Sequence, residues 1–178
     1  MSETRDTAAD VRVRRAERAD LLAIHRIEQA SFPEPWPYHA FDRYLDAVAF
    51  LVAVSNDGDP VDGGVISTDA PVVGFVVTTV MERHGRAIGH VKDLAVHPDH
   101  RGQGIGSTLL EVALGRLAVE GAQAVKLEVR ESNAPARSLY RQFGFEPLRT
   151  AQEYYQDDED AVVMVRQLEG SRWPTNGF

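Results

Sequence analysis

The chain has 178 residues, a formal charge of −8 and no cysteine. Its length fits one compact domain with a real core, and the missing cysteine excludes a disulfide framework, a thiolate nucleophile and a cysteine metal site. The acidic balance argues against a broad nucleic-acid-binding surface.

The first ten residues, Met1 to Asp10, are polar and lack a signal-peptide apolar core, so residues 1–10 are expected to be a flexible N-terminus. Val11-Arg12-Val13-Arg14 alternates apolar and polar, the pattern of a first strand. Leu21, Ile24, Ile27 and Ala30 recur on one face of a helix over Arg18 to Phe32, which Pro33 and Pro35 stop. Tyr38 to Ala47 reads as a short second helix and Phe50 to Val54 as a strand. Asn56 to Pro71, rich in glycine, proline and aspartate, reads as a long loop. Strands follow at Val72 to Val80 and His90 to Val96, then an amphipathic helix over Thr108 to Val119. A strand over Val125 to Val129 leads to a helix from Ala134 to Phe143 with a stop at Gly144. Pro147 to Tyr155 and Ala161 to Leu168 read as the last two strands, and 169–178 as a tail. The order β-α-α-β-β-β-α-β-α-β-β predicts an α/β domain over 11–168, with a mixed, mostly antiparallel twisted sheet of about seven strands and about four helices. No apolar run has the length of a membrane span, so neither a membrane association nor a location outside the cytoplasm is expected.

Two segments carry chemistry. The first is Arg101-Gly102-Gln103-Gly104-Ile105-Gly106, between the apolar Leu94-Ala95-Val96 and the long helix. A strand, a glycine-rich turn and a helix N-terminus in succession aim backbone N–H groups and a positive dipole end at one point, which suits an anion such as a pyrophosphate. No lysine follows Gly106, which removes the main support for a nucleotide-triphosphate loop. The third glycine comes one residue too early for a dinucleotide fingerprint.

The second segment runs from Leu127 to Phe145. Val125, Leu127 and Val129 share one face of a strand; Lys126, Glu128 and Arg130 share the other. By itself this pattern fits a solvated charged face. Asn133 is a natural helix N-cap with Pro135 in the first turn, and Tyr140 and Phe143 fit core contacts.

Taken together these motifs resemble a known family. Arg-x-x-Gly-x-Gly over 101–106 is similar to the acyl-CoA pyrophosphate loop of the GNAT N-acetyltransferase superfamily. Leu-Glu-Val-Arg-x-Ser-Asn-x-x-Ala-x-x-Leu-Tyr-x-x-x-Gly-Phe over 127–145 resembles the signature of its RimI-type ribosomal-protein alanine N-acetyltransferases and their archaeal N-alpha-acetyltransferase relatives. Tyr154-Tyr155 with Glu159-Asp160-Ala161 and Met164, and Phe32-Pro33-Glu34-Pro35-Trp36, match the same pattern, so the likeness covers roughly Val11 to Leu168.

The resemblance implies a single-domain GNAT-type fold and direct acetyl transfer from acetyl-CoA, as co-substrate, to a protein N-terminal amine, without an acyl-enzyme. It gives Glu128 the base role, acting through water, and Tyr140 the role of acid toward the leaving thiolate. A thiol pKa of about 8.5 against about 10 for tyrosine makes that last transfer mildly uphill unless the site lowers the tyrosine value. Leu94, Ala95, Val96, the loop Arg101, Gly102, Gln103, Gly104, Ile105, Gly106, and Asn133 are implied to hold the cofactor, with a backbone N–H of Leu94–Val96 as oxyanion donor. Phe32, Pro33, Glu34, Trp36, Tyr38, Tyr154 and Tyr155 are implied to hold the peptide. The expected partners are protein or peptide N-termini, a ribosomal protein among the candidates, with no nucleic acid, and the expected state is a monomer or weak homodimer.

His90 and Asp93 depart from the commonest family residues on their strand, and either can share proton removal. His97-x-x-His100 has a zinc-like spacing, but Pro98 is expected to prevent the helix that would bring both rings to one face; no metal site is expected. Asp157-Asp158-Glu159-Asp160 reads as a solvated turn. Two alternatives stay open: a small-molecule or lysine-side-chain acetyltransferase on the same fold, and a non-catalytic acyl-CoA sensor.

Overall fold

A computed structural model describes residues 10–56 and 71–168. The expected flexible start, the C-terminal tail and nearly all of the Asn56–Pro71 loop lie outside the described residues. The described chain contains β1 (Val11–Arg15), α1 (Leu21–Ser31), α2 (Tyr38–Asp42), β2 (Ala49–Ser55), β3 (Val72–Arg83) and β4 (Arg86–Val96). It continues with α3 (Ile105–Val119), β5 (Ala124–Arg130), α4 (Ala134–Gln142), β6 (Glu146–Ala151) and β7 (Ala161–Gln167). The seven strands follow the order β1-β2-β3-β4-β5-β7-β6. β1 and β2 pair antiparallel, as do β5 with β7 and β6 with β7, while β4 and β5 run parallel. This is the mixed sheet expected, with its antiparallel pairs at the two ends.

The chain packs as two compact units. The first draws on the described residues within 1–46, 50–76 and 94–112, the second on those within 47–49, 77–93 and 113–178. In the first unit β2 is buried along its whole length, as its unbroken apolar run requires. Phe41 of α2 meets Phe50 of β2 and Phe75 of β3 at ring-centroid distances of 6.3 and 5.6 Å, and all three rings are buried. Each such side chain contributes about 1.5–3 kcal/mol by leaving water. In the second unit Val125, Leu127 and Val129 turn inward while Lys126, Glu128 and Arg130 alternate on the other face.

Several boundaries differ from the expectation. β3 and β4 are longer than their apolar cores, because His84 and Gly85, at φ 51° and 72°, join them in a two-residue turn whose flanks stand in solvent. Positive φ at both central residues is what a tight hairpin of this length demands. α2 ends at Asp42, and the turns after it present Tyr44 to Trp36. β6 stops at Ala151, leaving Tyr154 and Tyr155 in a tight segment with Glu153 and Asp158 at φ 49° and 61°. α3 begins at Ile105, inside the glycine motif, so Gly106 is helical.

The parallel register of β4 and β5 spans only Ile88–Val91 against Ala124–Leu127. β4 runs on to Val96 and β5 to Arg130.

Candidate active site

The first unit holds the glycine loop. Gly102 and Gly104 sit at φ 75° and 80°, a region closed to other residues without strain, and nothing lies within 4 Å of where a Cβ would project from either. The Gly104 carbonyl accepts the Thr108 N–H at 3.0 Å, which starts α3. The N–H groups of Ile105, Gly106 and Ser107 precede the first intrahelical bond and stand at the positive end of a fifteen-residue helix. An anion fits there. Arg101 makes two contacts within this unit: its Nε donates to the Val96 carbonyl at 3.0 Å and a terminal nitrogen donates to Ser31 Oγ at 3.1 Å. It braces the loop against the ends of β4 and α1.

His97 and His100 depart from the reading of their spacing. Pro98 opens a three-residue 3-10 turn, where its missing N–H is no loss, and three residues per turn bring the two rings edge to face at 5.8 Å. No trio of His, Cys, Asp or Glu able to hold a metal occurs among the described residues.

The second unit holds the titratable groups. His90 of β4 lies opposite Lys126 of β5 in the register, and its Nε2 is 2.6 Å from Glu128 Oε2. Lys126 Nζ donates to the other carboxylate oxygen at 2.9 Å. Burial works to raise the Glu128 carboxyl, but the hydrogen bonds and charges of His90 and Lys126 outweigh it and hold the group at about 2. Burial lowers His90 below the ordinary imidazole value, and the Glu128 contact does not make up the difference. His90 is therefore neutral near pH 7, with Nε2–H donating to an ionised Glu128. Its Nδ1 is then an acceptor, buried and without a hydrogen-bond partner among the described residues. Glu128 is thus no member of a solvated charge ladder.

Tyr140 is buried on α4 with its ring edge on Phe145 at 5.9 Å. Burial first, then the charges of Asp93 and Tyr155, push its hydroxyl well above the usual tyrosine value, so the site does not lower it. Asn133 caps α4: its side-chain oxygen accepts the Ala136 N–H at 3.2 Å, and Pro135 stands in the first turn. The side-chain amide keeps two further donors.

The two segments expected to hold the peptide are each tied to a charged side chain. In the first unit Glu28, buried on α1, accepts the Trp36 N–H at 2.9 Å and so ties down the loop that holds Phe32, Pro33 and Glu34. The Trp36 ring stacks on Tyr44 at 5.5 Å and leans on Phe41, so it anchors the loop, while Tyr38 stands exposed. A charge at position 28, on the stripe of Leu21, Ile24 and Ile27, was the visible signal. In the second unit Tyr154 and Tyr155 meet edge to face at 5.1 Å, and the charge of Glu128 acts on both hydroxyls. The acids expected to form a solvated turn do lie at one, with Asp157 and Asp158 exposed, and two of them are also paired: Arg130 meets Asp157 and Glu159.

The model of the acetyltransferase (GNAT) family matches residues 21–145. The chain belongs to that family. It takes acetyl-CoA as acetyl donor, and the open glycine loop at the start of α3 fits the pyrophosphate of such a donor. An N-alpha-acetyltransferase of Saccharolobus solfataricus is 32% identical over 92% of this chain and 97% of its own length. The ribosomal protein bS18 alanine N-acetyltransferase of Escherichia coli is 30% identical over 84% of this chain and 92% of its own length. A crystal structure of an Escherichia coli enzyme of that description has a TM-score of 0.71 at 27% identity, covering 92% of this chain and 99% of that one. The NatC complex bound to Gag peptide and CoA has a TM-score of 0.77 over 89% of this chain and 98% of that chain, and at 23% identity it supports the fold alone. No helix among the described residues is long and apolar enough to cross a membrane.

Proposed function

We propose that this acetyltransferase is an N-alpha-acetyltransferase, moving acetyl from acetyl-CoA directly to the free α-amino group of protein N-termini, ribosomal proteins among them. The likeness to the N-alpha-acetyltransferase from Saccharolobus solfataricus along nearly the whole of both chains carries this reading. A cytoplasmic location and a monomeric or weakly dimeric state go with it.

In this reading the donor's pyrophosphate lies on the N–H groups of Ile105, Gly106 and Ser107, with Gly102, Gln103 and Gly104 shaping the approach and Asn133 adding a side-chain donor. Leu94, Ala95 and Val96 offer backbone groups to the acyl arm. The incoming α-amine has a pKa near 8 and arrives mostly protonated. Direct transfer to a carboxylate held at about 2 is uphill by about six units, roughly 8 kcal/mol. Neutral His90 is the better acceptor, taking the proton at Nδ1 through a water while Glu128 holds the tautomer and stabilises the imidazolium. The amine nitrogen then attacks the thioester carbonyl, the C–S bond breaks, and the nitrogen's second proton leaves through water to solvent, so that amide and thiolate result. Tyr140 stays protonated and stabilises the thiolate chiefly by donating a hydrogen bond, since full proton transfer from so raised a hydroxyl is costly. Phe32, Pro33, Glu34, Trp36, Tyr38, Tyr154 and Tyr155 receive the peptide.

The test incubates the protein with acetyl-CoA and peptides of varied first residue, free or N-terminally blocked, some carrying an internal lysine, and follows CoA release. Release with free N-termini and none with blocked ones is expected. Turnover of blocked lysine peptides or small amines alone overturns the assignment, and CoA binding without any turnover favours a sensor.

A further inference from the structure

Arg130 ends β5 with a side chain only 14% exposed. One guanidinium nitrogen donates to both oxygens of Asp157, at 2.9 and 2.8 Å, and to Glu159 at 2.7 Å. The carbon at the centre of the same group lies 3.9 Å from the centroid of the Tyr155 ring. Glu159 is held a second time, by the Ser132 N–H at 2.9 Å, and its own carbonyl accepts the N–H groups of Tyr154 and Tyr155 at 3.1 and 3.2 Å. A single cation thus binds the segment between β6 and β7 by two carboxylates and one aromatic face, and the backbone of both tyrosines hangs on the main-chain carbonyl of Glu159, whose side chain is one of those carboxylates.

We infer that Arg130 is a positioning residue for acceptor binding: it locks the Tyr154–Tyr155 segment in place before the peptide arrives, and the affinity for the peptide depends on that lock. The inference rests on the function proposed above for the direction of its kinetic effect. The physical case is one of preorganisation. A segment with two residues at positive φ and a tyrosine 51% exposed would otherwise lose its ordering entropy on binding. A largely buried arginine set over an aromatic ring while pairing with carboxylates removes that cost in advance. Arg130 touches no reacting atom in this scheme, so it acts on peptide KM and leaves the chemical step in place.

Arg130→Gln and Arg130→Lys separate the lock from general stability. Amide hydrogen exchange read over 152–160 should quicken at least tenfold in Arg130→Gln, while peptides from β5 and β7 keep their protection. Peptide KM should rise about tenfold, with kcat and acetyl-CoA KM within twofold. Arg130→Lys keeps the charge but loses the planar stack, and is expected to recover most of the exchange protection and part of the KM. Asp157→Asn with Glu159→Gln should copy Arg130→Gln. Unchanged exchange over 152–160, or a loss confined to kcat or to acetyl-CoA KM, overturns the inference. If the wild type acetylates only blocked lysine peptides, the proposed acceptor is wrong, and the exchange arm still decides whether Arg130 locks the segment.

Discussion

At the residue scale the decisive fact is that His90, Glu128 and Lys126 form one connected group. His90→Ala should lower kcat/KM by about a hundredfold or more, the usual size of a lost acid–base contribution, with acetyl-CoA affinity measured by calorimetry unchanged. Charge neighbours then set the pH dependence. Glu128 raises the imidazole value and Lys126 lowers it, both against the larger effect of burial. The acid limb of kcat/KM should thus lie below the ordinary imidazole range. It should move down in Glu128→Gln and up in Lys126→Met. A limb that stays put in both variants would show that His90 does not take the proton. Tyr140→Phe should cut kcat without changing acetyl-CoA binding, and a matching loss of affinity would assign it to the cofactor instead.

At the scale of elements, the candidate site stands on the ends of strands and helices and on the connections beside them. Gly104 shows the requirement most plainly. Alanine there must keep φ near +80°, at a cost of about 1–2 kcal/mol, which corresponds to a roughly five- to thirtyfold weaker acetyl-CoA dissociation constant if the loop reorganises to avoid it. Calorimetric titration reads this directly. Glu28 makes the complementary case on the peptide side. Glu28→Ala leaves the half-buried Trp36 N–H without its acceptor, a loss of about 1–3 kcal/mol, and should raise peptide KM. Glu28→Gln keeps an acceptor oxygen and should be milder; equal effects of the two would assign the role to charge and not to the hydrogen bond.

For the whole molecule, acid stability follows from the same buried group. Both Glu128 and His90 have folded-state values below their ordinary ones, so the unfolded chain binds more protons and stability rises with pH. The contribution of Glu128 is fully present above about 4.5 and is lost as pH falls toward 2, and that of His90 begins to fall below about 6.5. Thermal midpoints of the wild type should drop between pH 7 and 3, and Glu128→Gln should lower the midpoint at pH 7 while flattening the part of that drop that lies below about pH 4.5. Circular dichroism melts at both pH values check it. The element order was legible because periodicity and punctuation are local: Leu21, Ile24 and Ile27 announce α1, and Pro33 ends it. The glycine loop was legible for the same reason, since strand, turn and helix start are consecutive in the chain. The hairpin at His84–Gly85 was not, because its strand ends leave the core and lose alternation. Nor was the partnership of His90 with Glu128, whose residues stand 38 positions apart, or the engagement of Asp157 and Glu159 by Arg130. By itself the sequence determined the strands and helices, the anion-binding turn and the family likeness, all of which depend on neighbours along the chain. Only the tertiary structure decided which charges are buried together, and hence which are neutral at pH 7, because desolvation and pairing depend on distances in space.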